Sequence, residues 1–205
     1  TLKQPKAIAI AEQCLFALAL VVAFLLFFED KLVIPYWLQP LGRMHPLLLH
    51  FPIAFLTLSA FIAIYRAIRP GELDPLFNKA ARALLLTGAI LTGMTLIMGL
   101  FLSREGGYSS DALSWHKWSG ATVFFLAASI YLLAFRERFK APLAWASGLT
   151  MIGSLLMTGH YGAELSHGEG FLTEPITSHR ETRIVPVEQA AVYADVIQPI
   201  LDRKC

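Results

Sequence analysis

Five long apolar stretches, separated by short polar segments, dominate the chain. A helix needs about 20 apolar residues to cross the roughly 30 Å hydrocarbon core of a bilayer. Each stretch meets this length, whereas a membrane β-barrel would show alternating segments of about ten residues. The pattern therefore predicts five transmembrane helices, which run over Ala7 to Phe28, His45 to Tyr65, Ala83 to Leu102, Trp115 to Phe135 and Leu143 to Glu164.

The composition indicates the same class of protein. Of 205 residues, 56% are hydrophobic and 16% are charged, which is more apolar than a soluble domain needs to fill its core. We predict an all-α, polytopic membrane protein in which helices two to five form a four-helix bundle. The predicted domains are a signal-anchor helix and loop (1–40), the bundle (41–170), a linker (171–186) and the start of an appended domain (187–205).

The distribution of Lys and Arg predicts the orientation, because an excess in short loops marks the cytoplasmic side. One side carries Lys3, Lys6, Arg66, Arg69, Lys79, Arg82, Arg136, Arg138 and Lys140. The opposite side carries, before the C-terminal segment, Lys31, Arg43, Arg104 and Lys117. We therefore predict a membrane protein with a cytoplasmic N-terminus and an extracytoplasmic C-terminus. The net charge of +2 adds nothing to this prediction of orientation. The sequence has no basic cluster suited to binding nucleic acid.

Histidines converge on the predicted extracytoplasmic ends of helices two to five. They are His45, His50, His116, His160 and His167. Ionisable side chains in a bilayer cost free energy unless they are paired or liganded, so they indicate a site. At a rise of about 1.5 Å per residue, His50 and His160 form an inner layer and the other three form an outer layer near the headgroups.

Imidazoles from different helices of a bundle are the usual axial ligands of haem iron. We predict His50 with His160 as the axial pair of a b-type haem. His116 with His45 or His167 would serve a second haem, and with only one haem the outer histidines would line a quinone site or its proton exit. Copper is an alternative for the same imidazoles. An interfacial or structural role is the competing interpretation for each histidine, since the WHKW run around His116 also resembles an aromatic interfacial belt.

Several carboxylates lie at the same predicted face. Glu164 follows His160 by four residues, so it could orient that imidazole or accept protons as a general base. Glu105, Asp111 and Glu169 are further bases, for which a solvated loop or helix end is the alternative. Zinc stays open as well, because Glu164 or Glu169 could complete the three or four ligands that it prefers.

Three motifs carry a family resemblance: HPLLLHFPIAF from His45, WHKWSG from Trp115 and GHYGAELSHG from Gly159. Together they resemble the bacterial membrane family known as domain of unknown function 2231, over roughly Leu41 to Gly170. With the predicted orientation, the resemblance implies the bacterial inner membrane with a periplasmic C-terminus. The HPLLLHFP and WHKWSG runs, and the SREGGY and GHYGAE runs, also suggest that helices two and three are repeated in helices four and five.

The tail carries a second resemblance. The run VYADVIQPILDRKC from Val192 to Cys205 is similar to the entry helix of the planctomycete-type cytochrome c domain. In that domain the final Cys opens a CxxCH haem attachment motif. The resemblance therefore implies haem c bound covalently at Cys205.

These expectations combine into a membrane-bound electron-transfer protein that passes electrons from quinol to a b-type haem and then to a c-type haem domain, as a subunit of a quinol:cytochrome c oxidoreductase. The main alternative is a non-catalytic membrane anchor or assembly subunit of a larger respiratory complex. A metal or proton transporter is less favoured, because it should place ionisable residues near the bilayer midplane.

Overall fold

The computed structural model describes residues 6–69, 75–108, 110–134, 141–168, 170–173, 176 and 191–198. Every regular element within these ranges is a helix, which confirms the predicted all-α class. Contacts between Cα atoms divide the chain into two units, Thr1–Gly162 and Ala163–Cys205. The proposed base Glu169, the residue Cys205 and most of the predicted linker lie outside the described residues.

Helices occupy all five of the predicted apolar stretches. In chain order they are α1 (Lys6–Phe27), α2 (Gln39–Arg43), α3 (His45–Leu48), α4 (His50–Ile68), α5 (Pro75–Ser103), α6 (Ser110–Ala134) and α7 (Ala141–His167). Three described stretches are long and apolar enough to cross a membrane, namely Lys6–Phe27, Tyr36–Ile68 and Leu76–Ser103. The protein is thus a helical membrane protein, while the count of five crossings stays a prediction.

Two prolines explain why the apolar stretch Tyr36–Ile68 is divided into three helices. A proline cannot donate a hydrogen bond to the carbonyl four residues earlier, and its ring clashes with that carbonyl. Pro46 and Pro52 therefore leave the carbonyls of Gly42 and Leu48 without their helical partners, which is where α2 and α3 end. As a result His45 begins a short helix of its own.

Helix α5 is the centre of the first unit, since α1, α2, α3, α4 and α6 all pack against it. The core between these helices contains fully buried Val22, Leu56, Ala89, Phe124 and Ala127. Helix α1 belongs to this packing, because the added Cβ at Gly93 would lie 2.5 Å from a methyl carbon of Leu18. Small residues thus let the helices approach closely.

Contacts at the two ends show that successive long helices alternate in direction. We call the end where the N-termini of α3 and α6 meet the C-terminal half of α5 the histidine end. There Arg43 pairs with Glu105 and Lys117 pairs with Glu29. At the other end, called the arginine end, the C-terminus of α4 meets the N-terminus of α5, as in the hydrogen bond from Ser59 to the carbonyl of Ala81.

Within the second unit, the described residues comprise the last turn of α7, residues 168 and 170–173, residue 176, and a short π-helical segment at Val192–Ile197. The imidazole of His167 stacks on the ring of Phe171, with centroids 4.2 Å apart. The helical segment coincides with the part of the tail for which the sequence predicted the start of an appended helix.

Candidate functional site

Two of the five predicted site histidines lie against each other at the histidine end. The ring centroids of His45 and His116 are 6.1 Å apart and the ring planes are nearly perpendicular, at 88°. Both side chains are half-buried. The two imidazoles come from different helices, α3 and α6, so their approach depends on how the bundle is packed.

A hydrogen bond to the backbone of α5 fixes the His45 ring. Its Nδ1 lies 2.9 Å from the carbonyl oxygen of Thr95. A carbonyl oxygen can only accept, so Nδ1 carries the proton and donates. In the neutral ring the lone pair is therefore on Nε2, which hydrogen-bonds to no described residue.

The His116 ring is held in the same way by α7. Its Nδ1 lies 2.9 Å from the carbonyl oxygen of Thr158 and donates to it. The two threonines match in detail, since each hydroxyl donates to the carbonyl four residues earlier, at 2.7 Å for Thr95 and 2.8 Å for Thr158. The two halves of the site are therefore equivalent in chemistry.

Each imidazole packs over a glycine that stands four residues after the threonine. A Cβ added at Gly99 would lie 3.1 Å from Cε1 and Nδ1 of His45, and one added at Gly162 would lie 3.0 Å from Cε1 of His116. In an α-helix the residue at i+4 stands next to the carbonyl of residue i. Glycine at that position leaves the second lone pair of the threonine carbonyl open to a ring from another helix.

The Thr-x3-Gly pairs place the predicted internal repeat in a different register. The sequence comparison aligned SREGGY with GHYGAE, whereas the structure makes Thr95 equivalent to Thr158 and Gly99 equivalent to Gly162. The predicted equivalence of the two N-terminal histidine runs agrees with the pairing of His45 and His116.

Sequence reasoning missed Thr95 and Thr158 because every residue has a backbone carbonyl, so the sequence does not mark the two that accept these hydrogen bonds. The recurring Thr-x3-Gly spacing was the available signal.

The other predicted ligands stand in different surroundings. His50 is exposed, with Nδ1 3.4 Å from the carbonyl oxygen of Leu47 in the preceding turn. The ring of His160 packs on Tyr161, with centroids 5.3 Å apart. At 3.6 residues per turn, His160 lies about 200° around α7 from Gly162, which faces His116. The predicted pair of His50 with His160 stays a prediction, and the pair that the structure brings together is His45 with His116.

Aromatic side chains border the paired histidines. Trp115, next to His116, stacks on Tyr161 with centroids 5.7 Å apart and planes 12° from parallel. Trp115 is also largely exposed, so its stacking is compatible with the predicted interfacial position of the WHKW run.

Charged groups at the histidine end are paired with each other. Glu105, one of the predicted bases, receives two hydrogen bonds from Nε of Arg43, at 3.2 and 3.0 Å. Lys117 donates to Glu29, and both side chains are less than a quarter exposed. Asp111 is exposed in the first turn of α6, where a negative charge is favourable. Glu105 is therefore engaged in an ion pair, which weakens its candidacy as a proton acceptor.

A set of ligands for zinc would require more groups than the described residues bring together. No cluster of three or more His, Cys, Asp and Glu side chains able to hold a metal ion occurs among those residues. The described pair thus supplies two imidazoles, fewer than the three or four ligands of a closed zinc site.

A second polar contact, at the arginine end, also escaped sequence reasoning. The hydroxyl of Tyr131, which is 1% exposed, donates to Oε1 of Glu12 at 3.0 Å. The contact joins α1 to α6 at the end opposite to the paired histidines. Glu12 stands within a predicted anchor helix, where its flanking apolar residues gave no indication of a partner.

Comparison with known proteins gives one match. The sequence pattern of the family described as Predicted membrane protein (DUF2231) covers residues 42–175. No curated protein and no solved structure matches the chain. The matched range contains the two imidazoles, the threonines that accept their hydrogen bonds and the glycines that they pack over, namely Thr95, Thr158, Gly99 and Gly162. It ends before the tail segment that resembles a cytochrome c entry helix.

Proposed function

The chain belongs to the DUF2231 family of predicted membrane proteins, and on that premise we propose that it is a membrane-bound electron-transfer protein with a b-type haem between His45 and His116. The observation that carries the proposal is the pair of imidazoles, each fixed through Nδ1 and each with Nε2 left to bind a metal. This is the arrangement found for histidines that ligate metals, in which a second hydrogen bond selects the tautomer.

The spacing of the rings supports coordination to one iron. His45 and His116 lie close enough that both would be able to hold the same iron, since a bond between a metal and an imidazole nitrogen would be about 2 Å long. The centroids of His45 and His116 are 6.1 Å apart. A haem held by two histidines supplies one-electron oxidation and reduction.

The residues of the chain would orient the ligands and tune them. Donation from Nδ1 to the carbonyls of Thr95 and Thr158 increases the electron density at Nε2, which makes each ring a stronger ligand. Because both acceptors are backbone atoms within long helices, they hold the rings without a flexible intermediary. Gly99 and Gly162 allow each ring to reach its carbonyl.

The donor would be a lipid-soluble quinol, and the acceptor would be a c-type domain whose haem would be attached at Cys205. Oxidation of a quinol releases protons, for which Glu164 is the proposed acceptor. The assignment of Glu164 rests on its position in the sequence one turn after His160. The assignment of the electron acceptor rests on the resemblance of the tail.

The test is a reduced minus oxidised absorbance spectrum of the purified 205-residue protein in detergent, with haem quantified per chain. We expect the α-band of a b-type haem in the parent protein and its loss in His45→Ala and in His116→Ala. Two matched controls, His50→Ala and His160→Ala, should keep the band, and circular dichroism should show that all four variants remain helical.

The control variants also decide between the two ligand pairs. Loss of the band in His50→Ala and His160→Ala, with retention in the other two, would assign the haem to the deeper pair. A folded protein that takes up no haem when haem is supplied would refute the proposal. The hydrogen bonds to Thr95 and Thr158 would then be structural ties between helices, and the protein would be a membrane anchor or assembly subunit.

A further inference from the structure

Arg43 lies beside the paired histidines, at the junction of two short helices. It is the last residue of α2, and His45 begins α3 two residues later. The His45 ring packs over Gly99 of α5. Gly42, next to the arginine, packs three residues further along that helix, against the backbone of Leu102. Three helical residues span about 4.5 Å, so Arg43 stands beyond the ring, towards the end of α5.

One edge of the Arg43 guanidinium is already in use. Its Nε lies 3.2 and 3.0 Å from the two carboxylate oxygens of Glu105, and its Nη2 lies 3.0 Å from Oε2. A guanidinium carries five N–H groups in a rigid fork. The two N–H groups of Nη1 and one of Nη2 remain without a partner among the described residues. This free edge has the geometry that binds a second carboxylate through two parallel hydrogen bonds.

The free edge is accessible and held in place. The Arg43 side chain is 65% exposed, whereas that of Glu105 is 23% exposed, so the carboxylate orients the arginine from the protein side. A Cβ added at Gly42 would lie 2.8 Å from the backbone nitrogen of Leu102, which shows how tightly α2 packs against α5. A group that is oriented before its ligand arrives loses little conformational entropy on binding.

The cation next to the other imidazole is less available. Lys117 directly follows His116, but its ammonium is paired with Glu29 and its side chain is 18% exposed. The ammonium also lies over the ring of Trp118, 5.2 Å from the centroid. Of the two described cations that flank the imidazoles in the chain, Arg43 is therefore the one that offers an open edge to a further anion.

We infer that Arg43 binds one propionate carboxylate of the haem, through the edge formed by Nη1 and Nη2. The inference rests on the proposed function and adds a residue to that site. A b-type haem carries two propionates, which are ionised at neutral pH and costly to place in hydrocarbon. They must therefore lie towards water, and Arg43 stands at the histidine end with free donors. Glu105 would stay on the other edge as a positioning residue.

The test compares haem with haem dimethyl ester, in which both carboxylates are blocked. Each compound is titrated into the purified full chain in detergent, and the absorbance change gives a dissociation constant. We expect the parent protein to bind haem about tenfold more tightly than the ester, a factor that one partly exposed, charge-assisted contact supplies. Arg43→Gln should bind both compounds equally, at the affinity of the ester. Arg43→Lys should recover only part of the preference, because an ammonium lacks the planar fork.

Arg104→Gln is the matched control. It removes the same charge from the same end of the bundle, since Arg104 directly follows α5, and it should keep the parental preference for haem. Circular dichroism should show parental helicity for every variant, because an exposed ion pair such as that of Arg43 with Glu105 contributes little to stability.

Two results would overturn the inference. If Arg43→Gln keeps the tenfold preference for haem, the propionates are held elsewhere. If Arg104→Gln loses the preference as fully as Arg43→Gln, the effect comes from net charge and not from a defined contact. In both cases haem still binds, so the proposed function stands. A parent protein that takes up neither compound refutes the proposed function and this inference together.

Discussion

The glycine under the His116 ring gives the sharpest test of the site. Gly162→Ala places a methyl group 3.0 Å from Cε1 and 3.2 Å from Nδ1 of the imidazole. Ordinary van der Waals contact begins at 3.4 Å, so the ring must retreat. Because the hydrogen bond from Nδ1 to the Thr158 carbonyl is 2.9 Å long, a retreat of a few tenths of an ångström stretches it beyond its best length.

The expected cost has two parts. Loss of one hydrogen bond costs about 1 kcal/mol, and forcing an extra methyl into a packed contact costs at least about 1 kcal/mol. Replacement of glycine by alanine inside a helix returns about 1 kcal/mol through helix propensity. The control variant must therefore carry the same gain in helix propensity, because this gain would otherwise hide part of the destabilisation.

Gly159→Ala provides the control within the same helix. A Cβ added at Gly159 meets no atom within 4 Å, so the substitution changes helix propensity without touching the ring. We expect Gly162→Ala to be less stable than Gly159→Ala by about 2 kcal/mol, the sum of the lost bond and the contact.

The measurement is equilibrium unfolding of the two variants and the parent in mixed micelles, followed by circular dichroism. If Gly162→Ala proves as stable as Gly159→Ala, the glycine is not needed to admit the imidazole, and the reasoning about the carbonyl is wrong. Gly99→Ala should be destabilised for the same reason, since its Cβ would lie 3.1 Å from two atoms of the His45 ring.

Three further predictions concern the packing and the polar contacts. Gly148→Ala should lower the free energy of unfolding by about 2 kcal/mol, because its Cβ would lie 2.6 Å from a side-chain carbon of Ile64; unchanged micellar unfolding would contradict this. A double-mutant cycle with Lys117→Met and Glu29→Gln should give a coupling of about 1 kcal/mol or more, since the pair is largely buried; additive effects would show that the two groups do not interact. Tyr131→Phe should cost about 1 to 2 kcal/mol by leaving a carboxylate of α1 without its donor, and unfolding at the parent's denaturant concentration would refute it.

The helices of this protein were predictable because the signal for each is local. Length and apolarity alone placed all five long helices, and the structure differs mainly at their boundaries. The second stretch is the exception, since Pro52 divides it into α3 and α4 and Pro46 separates α3 from the preceding α2. Both prolines are visible in the sequence, so this break could have been predicted from the same local rules.

The candidate site was predictable in part. Depth along a helix follows from counting residues, so the sequence indicated one end for His45 and His116, and the structure brings these two rings together. Depth also favoured His50 and His160, while the pair in contact is His45 with His116. Rotation about each helix axis decides which side chains meet, and rotation is set by packing against the neighbours.

The sequence by itself determined the class of the protein, the positions of its long helices and the depth of His45 and His116 along their helices. These properties follow from apolar length, from proline and from the order of residues along each helix. The tertiary structure alone decided which rings face each other, and that the carbonyls of Thr95 and Thr158 hold them. A backbone carbonyl belongs to every residue, so only the close approach of helices over Gly99 and Gly162 makes these two distinctive.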